Sequence, residues 1–141
     1  MPTFHQVKNG FTLLEIMLVV VIVAIIAAFA IPNYTKSIEQ AHLKDAKANL
    51  TAIYAAQQIQ HSETGSYYPS SATTVNTAAI NTNLRLNIIE QGMTYTCTGV
   101  AGRAQFTCHA VRSGSSPYTV RTTEAVLSSG NPTCISGAAC P

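Results

Sequence analysis

Polar residues nearly vanish between Phe11 and Ile31, where only Thr12 and Glu15 clearly interrupt an apolar run of 21 residues. At ~1.5 Å of rise per residue, a helix of that length spans the ~30 Å hydrocarbon layer of a bilayer. Beyond Pro32 the pattern becomes amphipathic without losing its helical period. Ile31, Tyr34, Ile38, Ala41, Ala48, Ala52, Ala55 and Ile59 follow one helix face at three-to-four spacing, with Asp45 as the interruption. A second stripe runs Leu43, Ala46, Leu50, Ile53. The outer half of the helix thus has two apolar faces. Either one covers a sheet of the same domain and the other waits for a neighbouring subunit, or both face a wide intramolecular core.

The helix is predicted to end near Glu63–Gly65, with Gly65 as the residue after the cap and Pro69 forbidding continuation. From Phe11 to Glu63 is 53 residues, about 80 Å if unbroken. The residues that follow cannot bury a rod of that length, so its first half requires lipid or an equally apolar partner. Ser66 to Asn83 is rich in Ser, Thr, Asn and Ala and reads as a surface loop with room for one short helix. From Met93 the period changes to that of strands: Thr94–Thr98, Gln105–Val111, Tyr118–Thr122 and a further candidate at Ala125–Leu127. The tail from Gly130 reads as a loop. The predicted fold is α+β, a long N-terminal helix whose outer half packs on a small antiparallel sheet.

Composition sharpens this picture. Charged residues make up 10% of the 141 residues and the formal net charge is +2, below the roughly 25% charged of an ordinary soluble domain. No basic cluster suggests nucleic acid as a partner. Lys8 precedes the apolar run and, by the positive-inside rule, stays in the cytoplasm while the C-terminal part is exported. A secretory signal peptide is the rival reading, since Ala27, Ala28 and Ala30 mimic a cleavage site. Pro32 and the helix after it favour a retained anchor.

The four cysteines, Cys97, Cys108, Cys134 and Cys140, all lie in the C-terminal third. An even number on the exported side reads as two disulfides. A two-residue turn at Gly102-Arg103 places Cys97 opposite Cys108 on neighbouring strands, close enough for a bridge. Cys134 with Cys140 then closes a small C-terminal loop. Of the three possible connectivities this one is favoured. No C-x-x-C exists, and no metal or other cofactor is expected. The histidines, His5, His42, His61 and His109, are scattered, and no Ser/His/Asp set, phosphate loop or carboxylate pair supports an enzyme. Asn49-Leu50-Thr51 fits a glycosylation sequon but is read as chance.

The segment KNG followed by FTLLEIMLVVVIVAIIAAFAIPNY closely resembles the type IV prepilin signature, a match that covers Gly10 to Tyr34. The resemblance implies a leader at 1–10 cut between Gly10 and Phe11, an N-methylated Phe11, a membrane-spanning and assembly half at 11–32, and a periplasmic head at 33–141. Glu15 matches the family's assembly glutamate and Pro32 its helix-kinking proline. Where many members carry a helix-loosening glycine, this chain has Ala24. QHSETGSYYPS is similar to the end of the pilin helix; beyond about residue 70 only the layout is alike.

Each matched residue has a physical reason. Gly10 offers a protease cleft an extended chain without a side chain, and cleavage before the apolar run keeps the anchor. A carboxylate within a span costs ~2.5–3.5 kcal/mol near its centre and less toward an end, so Glu15 needs a partner. The amine released at Phe11, four positions away or on an adjacent subunit, provides one. A snorkelling Glu at the interface is the plain alternative. The implied partners are further copies of the chain in a helical filament, a prepilin peptidase, an inner-membrane platform and a cytoplasmic ATPase. The implied location is the inner membrane and then the cell surface, with roles in adhesion, twitching motility or DNA uptake. A minor pilin or a type II secretion pseudopilin shares the signature, although the typical pseudopilin calcium site needs acidic loops. Here only Glu90 and Glu124 follow the helix. An anchored binding domain that does not polymerise is the remaining alternative.

Overall fold

A computed structural model describes residues 10–100, 105–114, 117–123 and 132–137, apart from the side chains at 32 and 33. The chain divides into two units between Ser37 and Ile38. Helix α1, Leu13–Thr64, contributes to both. The elements that follow are β1 (Thr74–Asn76), α2 (Thr77–Asn83), β2 (Met93–Gly99), β3 (Phe106–Arg112), β4 (Tyr118–Thr123) and β5 (Thr133–Gly137). The architecture is α+β, as the periodicity predicts.

The second unit is organised by one stripe of α1. Leu43, Ala46, Leu50 and Ile53 are buried, and Gln57 continues the same row. They form one core with Tyr95, Cys97, Phe106, Cys108, Ala110, Tyr118 and Val120 of the sheet and Ile80, Leu84 and Ile88. Complete burial of a side chain such as Leu50 or Ile53 contributes about 1.5–3 kcal/mol. The other stripe stays outside: Ala41, Ala48, Ala52, Ala55 and Ile59 are exposed. The reading in which both stripes share one intramolecular core is therefore wrong. At the sequon, Leu50 is wholly buried and Asn49 donates to the Tyr95 hydroxyl at 2.8 Å.

The helix terminates as expected. Gly65 takes a φ of 75°, and its N–H donates to the His61 carbonyl at 2.8 Å. The buried Gln57 amide then clamps the returning chain. Its Oε1 accepts from the Tyr68 N–H at 2.8 Å, and its Nε2 donates to the Tyr68 carbonyl. Tyr67 stacks on His61, 4.4 Å between ring centroids, and tilts against Phe106 at 4.9 Å.

The sheet is antiparallel throughout, in the order β1-β2-β3-β4-β5. The β2–β3 ladder runs without a slip from Met93 opposite Arg112 to Gly99 opposite Phe106 and sets Cys97 opposite Cys108. These two are disulfide-bonded, with Cα atoms 4.0 Å apart. The Gly102-Arg103 turn and the candidate strand at 125–127 lie outside the described residues.

Two expectations need correction. The polar stretch after the helix is not a plain loop with a helix in it, since β1 adds a strand to the sheet edge beside β2. The tail is not a plain loop either: β5 pairs with β4, with an irregularity between Thr119 and Val120. Side-chain bonds to backbone hold the α2 region in shape. The Asn76 side chain caps α2 by accepting from the Ala79 N–H. Asn81 accepts from the Ile88 N–H and donates to its carbonyl, both at 2.9 Å.

The end of β2 passes close under the 69–73 segment. A Cβ on Gly99 would lie 1.9 Å from the Pro69 carbonyl oxygen and 2.7 Å from that of Ser71. Backbone atoms cannot swing aside as side chains can. Gly99→Ala is expected to cost about 1–3 kcal/mol, as overpacking does, read as a lowered thermal midpoint for the purified chain.

Candidate functional site: the N-terminal helix face

The start of α1 is built by Thr12. The Glu15 N–H donates to the Thr12 carbonyl at 3.1 Å and to its Oγ1 at 3.3 Å, and the Ile16 N–H reaches the same carbonyl at 3.3 Å. Thr12 therefore caps the helix and satisfies one of the four amide donors left without intrahelical partners. The T-x-x-E spacing of Thr12 and Glu15 is the sequence signal of this cap, masked there by the apolar run that surrounds it.

Glu15 sits in the first turn of α1 and is exposed. Among the described residues its carboxylate has no hydrogen bond or ion pair. The helix macrodipole favours a negative charge at this end by about 0.3–1 kcal/mol, which is small beside the cost of removing a carboxylate from water. Gly10 and Phe11 precede the helix, both exposed, and a Cβ at Gly10 would meet nothing within 4 Å.

From Phe11 to Ile31 no side chain is buried. The N-terminal part of α1 is long and apolar enough to cross a membrane. At about 1.5–3 kcal/mol per large apolar side chain, this surface demands apolar surroundings. It fits a membrane-anchored precursor. Pro32 lies within the helix assigned from Leu13 to Thr64.

The second unit adds a helix face and a partly buried ion pair. Arg112 donates from Nη2 to Glu39 Oε1 at 3.1 Å, from Nε to Oε2 at 3.3 Å, and from Nη1 to the Gly92 carbonyl at 2.9 Å. This fork ties α1 to β3 and to the turn before β2. Nothing in the sequence announced a pair 73 residues apart. On the outward side of the sheet, burial and then the neighbouring Arg121 hold the His109 imidazole below its ordinary pKa. No group of three or more metal-ligating side chains occurs among the described residues. Cys134 is also disulfide-bonded, while its expected partner, Cys140, lies outside the described residues.

Against known proteins, residues 6–31 match the prokaryotic N-terminal methylation motif. The chain is 45% identical over 64 residues to the type IV major pilin protein PilA of Myxococcus xanthus, covering 45% of this chain and 29% of that protein. It is 47% identical over 49 residues to type II secretion system core protein G of Pseudomonas aeruginosa, covering 35% of this chain and 34% of that one. These matches span about a third of the length of either relative. No solved structure matches.

Proposed function

We propose that the chain is the precursor of a type IV pilus subunit, cut once, drawn from the inner membrane and packed by its N-terminal helix into an extracellular filament. The observation that carries this reading is an uncovered apolar helix with one carboxylate, Glu15, that has no partner among the described residues and lies a single turn from Phe11 at a methylation motif. A plain membrane anchor has no use for that carboxylate. An assembling helix does, because a released amine at Phe11 can pair with it in a core without water.

The reading assigns residues 1–10 to a leader removed by a prepilin peptidase, with the Phe11 amine then methylated. Residues 11–32 serve as anchor and then as filament core, with Pro32 near the bilayer exit. Residues 33–141 form the exported head. Its rigidity comes from the Cys97–Cys108 bridge together with the proposed Cys134–Cys140 bridge. A membrane platform and an ATPase drive extrusion, and the role is structural, not catalytic. Apolar helices exchange lipid for one another on entering the filament, so the apolar surface never meets water.

Mass spectrometry of sheared surface fibres tests this. The expected N-terminus is methylated Phe11, with Met1 to Gly10 absent. Recovery of fibres with an intact leader would overturn the assignment. A bulky residue in place of Gly10 is expected to leave uncut precursor in the membrane fraction.

The similarity to core protein G supports a second reading, a secretion pseudopilin. Glu90 and Glu124 are the only acidic residues after the helix, and Glu90 already accepts from the Thr77 hydroxyl. That supply of carboxylates is poor for the calcium loop of a typical pseudopilin. Surface fibres that disappear on deletion of this chain, with secretion intact, select the pilus.

A further inference from the structure

A groove of about 280 Å³ opens in the second unit between the helix residues at 42–49 and the extended segment at 87–95. Its construction follows from two periods. On the strand side, alternate residues face it: Asn87, Ile89 and Gln91, then Met93 and Tyr95 as the chain enters β2. On the helix side, His42, Asp45 and Asn49 face it at three- and four-residue spacing. The floor is rigid, since Met93 and Tyr95 are buried. The strand-side wall is fixed from behind, where Asn81 holds both the N–H and the carbonyl of Ile88 and Thr77 bonds Glu90. One wall group is oriented as well, the Asn49 amide that donates to the Tyr95 hydroxyl.

The remaining polar groups are uncommitted. Among the described residues, the side chains of His42, Asp45, Asn87 and Gln91 make no hydrogen bond within the chain. Two amides that both donate and accept, one carboxylate and one imidazole therefore converge on a preformed recess with an apolar floor and Ile89 at its lip. No lysine or arginine lines it, which disfavours an anion. A single carboxylate is a poor cation site. The volume lies at the small end of ligand sites, ~300–1,000 Å³. A compact molecule with many hydroxyls on its edge and C–H groups on its face matches these walls.

We propose that this groove is a binding site for one neutral sugar ring, presented by a glycan chain. Asp45, Asn87 and Gln91 take the hydroxyls, and Ile89, exposed at the lip, takes the C–H face above the buried Met93–Tyr95 floor. The proposal stands apart from the filament reading, because the monomer alone tests it.

The experiment is saturation-transfer NMR on the full chain in micelles of a detergent without a sugar headgroup, with glucose and N-acetylglucosamine as probes. Saturable transfer to at least one of them is expected. Asp45→Ala and Gln91→Ala should each weaken it roughly tenfold, about the loss of one hydrogen bond to a hydroxyl ligand. Both side chains are exposed, so circular dichroism should show an unchanged fold. Lys44→Ala, which does not line the groove, should bind as wild type does. The absence of saturable transfer from both sugars, or equal binding by both groove variants, overturns the proposal. Fibre loss in Asp45→Ala, with no sugar signal from the wild type, likewise overturns it and assigns the groove to a second copy of the chain.

Discussion

Cells whose only copy of this chain carries Glu15→Gln are expected to hold processed subunit in the membrane and to display few or no fibres. The substitution keeps the side-chain shape and removes the charge. Insertion should be undiminished, since a neutral amide costs less than a carboxylate inside hydrocarbon. Cleavage should continue, because the proposed scissile bond lies ahead of Phe11, and a Cβ at Gly10 would meet no Glu15 atom within 4 Å. The N-terminal cap should also survive: it uses the Glu15 backbone N–H and Thr12, neither of which changes. Assembly is the step that suffers. In the filament core, the Phe11 amine would be left without a counter-charge, at several kcal/mol for an unpaired buried ion. Immunoblots of sheared and membrane fractions separate the outcomes. Normal fibre numbers would mean that shape packing of the apolar helix alone sets the register, and Glu15 would lose its role.

The parts of this molecule that were legible in advance are those in which one period repeats over many residues. The stripe Leu43, Ala46, Leu50, Ile53 is visible as a stripe, and the structure buries it against the sheet. A choice between two apolar stripes was harder, because in the second unit the exposed one is made mostly of alanines, whose small surfaces fit either side. The β2–β3 ladder was legible because cysteines and a turn constrain its register together. The short β1 and β5 were not. Each has only three to five residues, too few for alternation to stand out, and Pro132 before β5 and Gly137 at its end read as turn residues. The shape around α2 was hidden for a different reason. Asn76 and Asn81 act there by bonding to the main chain, as Gln57 of α1 does at Tyr68, and such residues look like ordinary surface polars until the chain is folded. The groove combines helix positions with an extended segment more than 35 residues away, a juxtaposition that no local pattern encodes.

Replacement of both Cys97 and Cys108 by alanine should have the largest effect on the stability of the head. Both half-cystines are fully buried in the core, and they link the two strands from which the sheet extends on either side. Removal of a native bridge from a small exported domain costs ~2–5 kcal/mol, and for a domain of this size that lowers Tm by on the order of 10–30 °C. Alanine is the informative replacement, because serine would add buried hydroxyls whose missing partners cost a further ~1–3 kcal/mol each. The serine pair should therefore melt below the alanine pair, and the difference measures desolvation apart from the lost covalent link. The remaining ladder, Tyr95 opposite Ala110 and Gly99 opposite Phe106, is expected to keep its register, so the fold persists at low temperature while its margin shrinks. Scanning calorimetry on purified full-length chains checks this, with reduced wild type as the reference for loss of the covalent links alone. A double-alanine chain that melts with oxidised wild type would show that packing on Leu50 and Ile53, rather than the bridge, holds the two strands together.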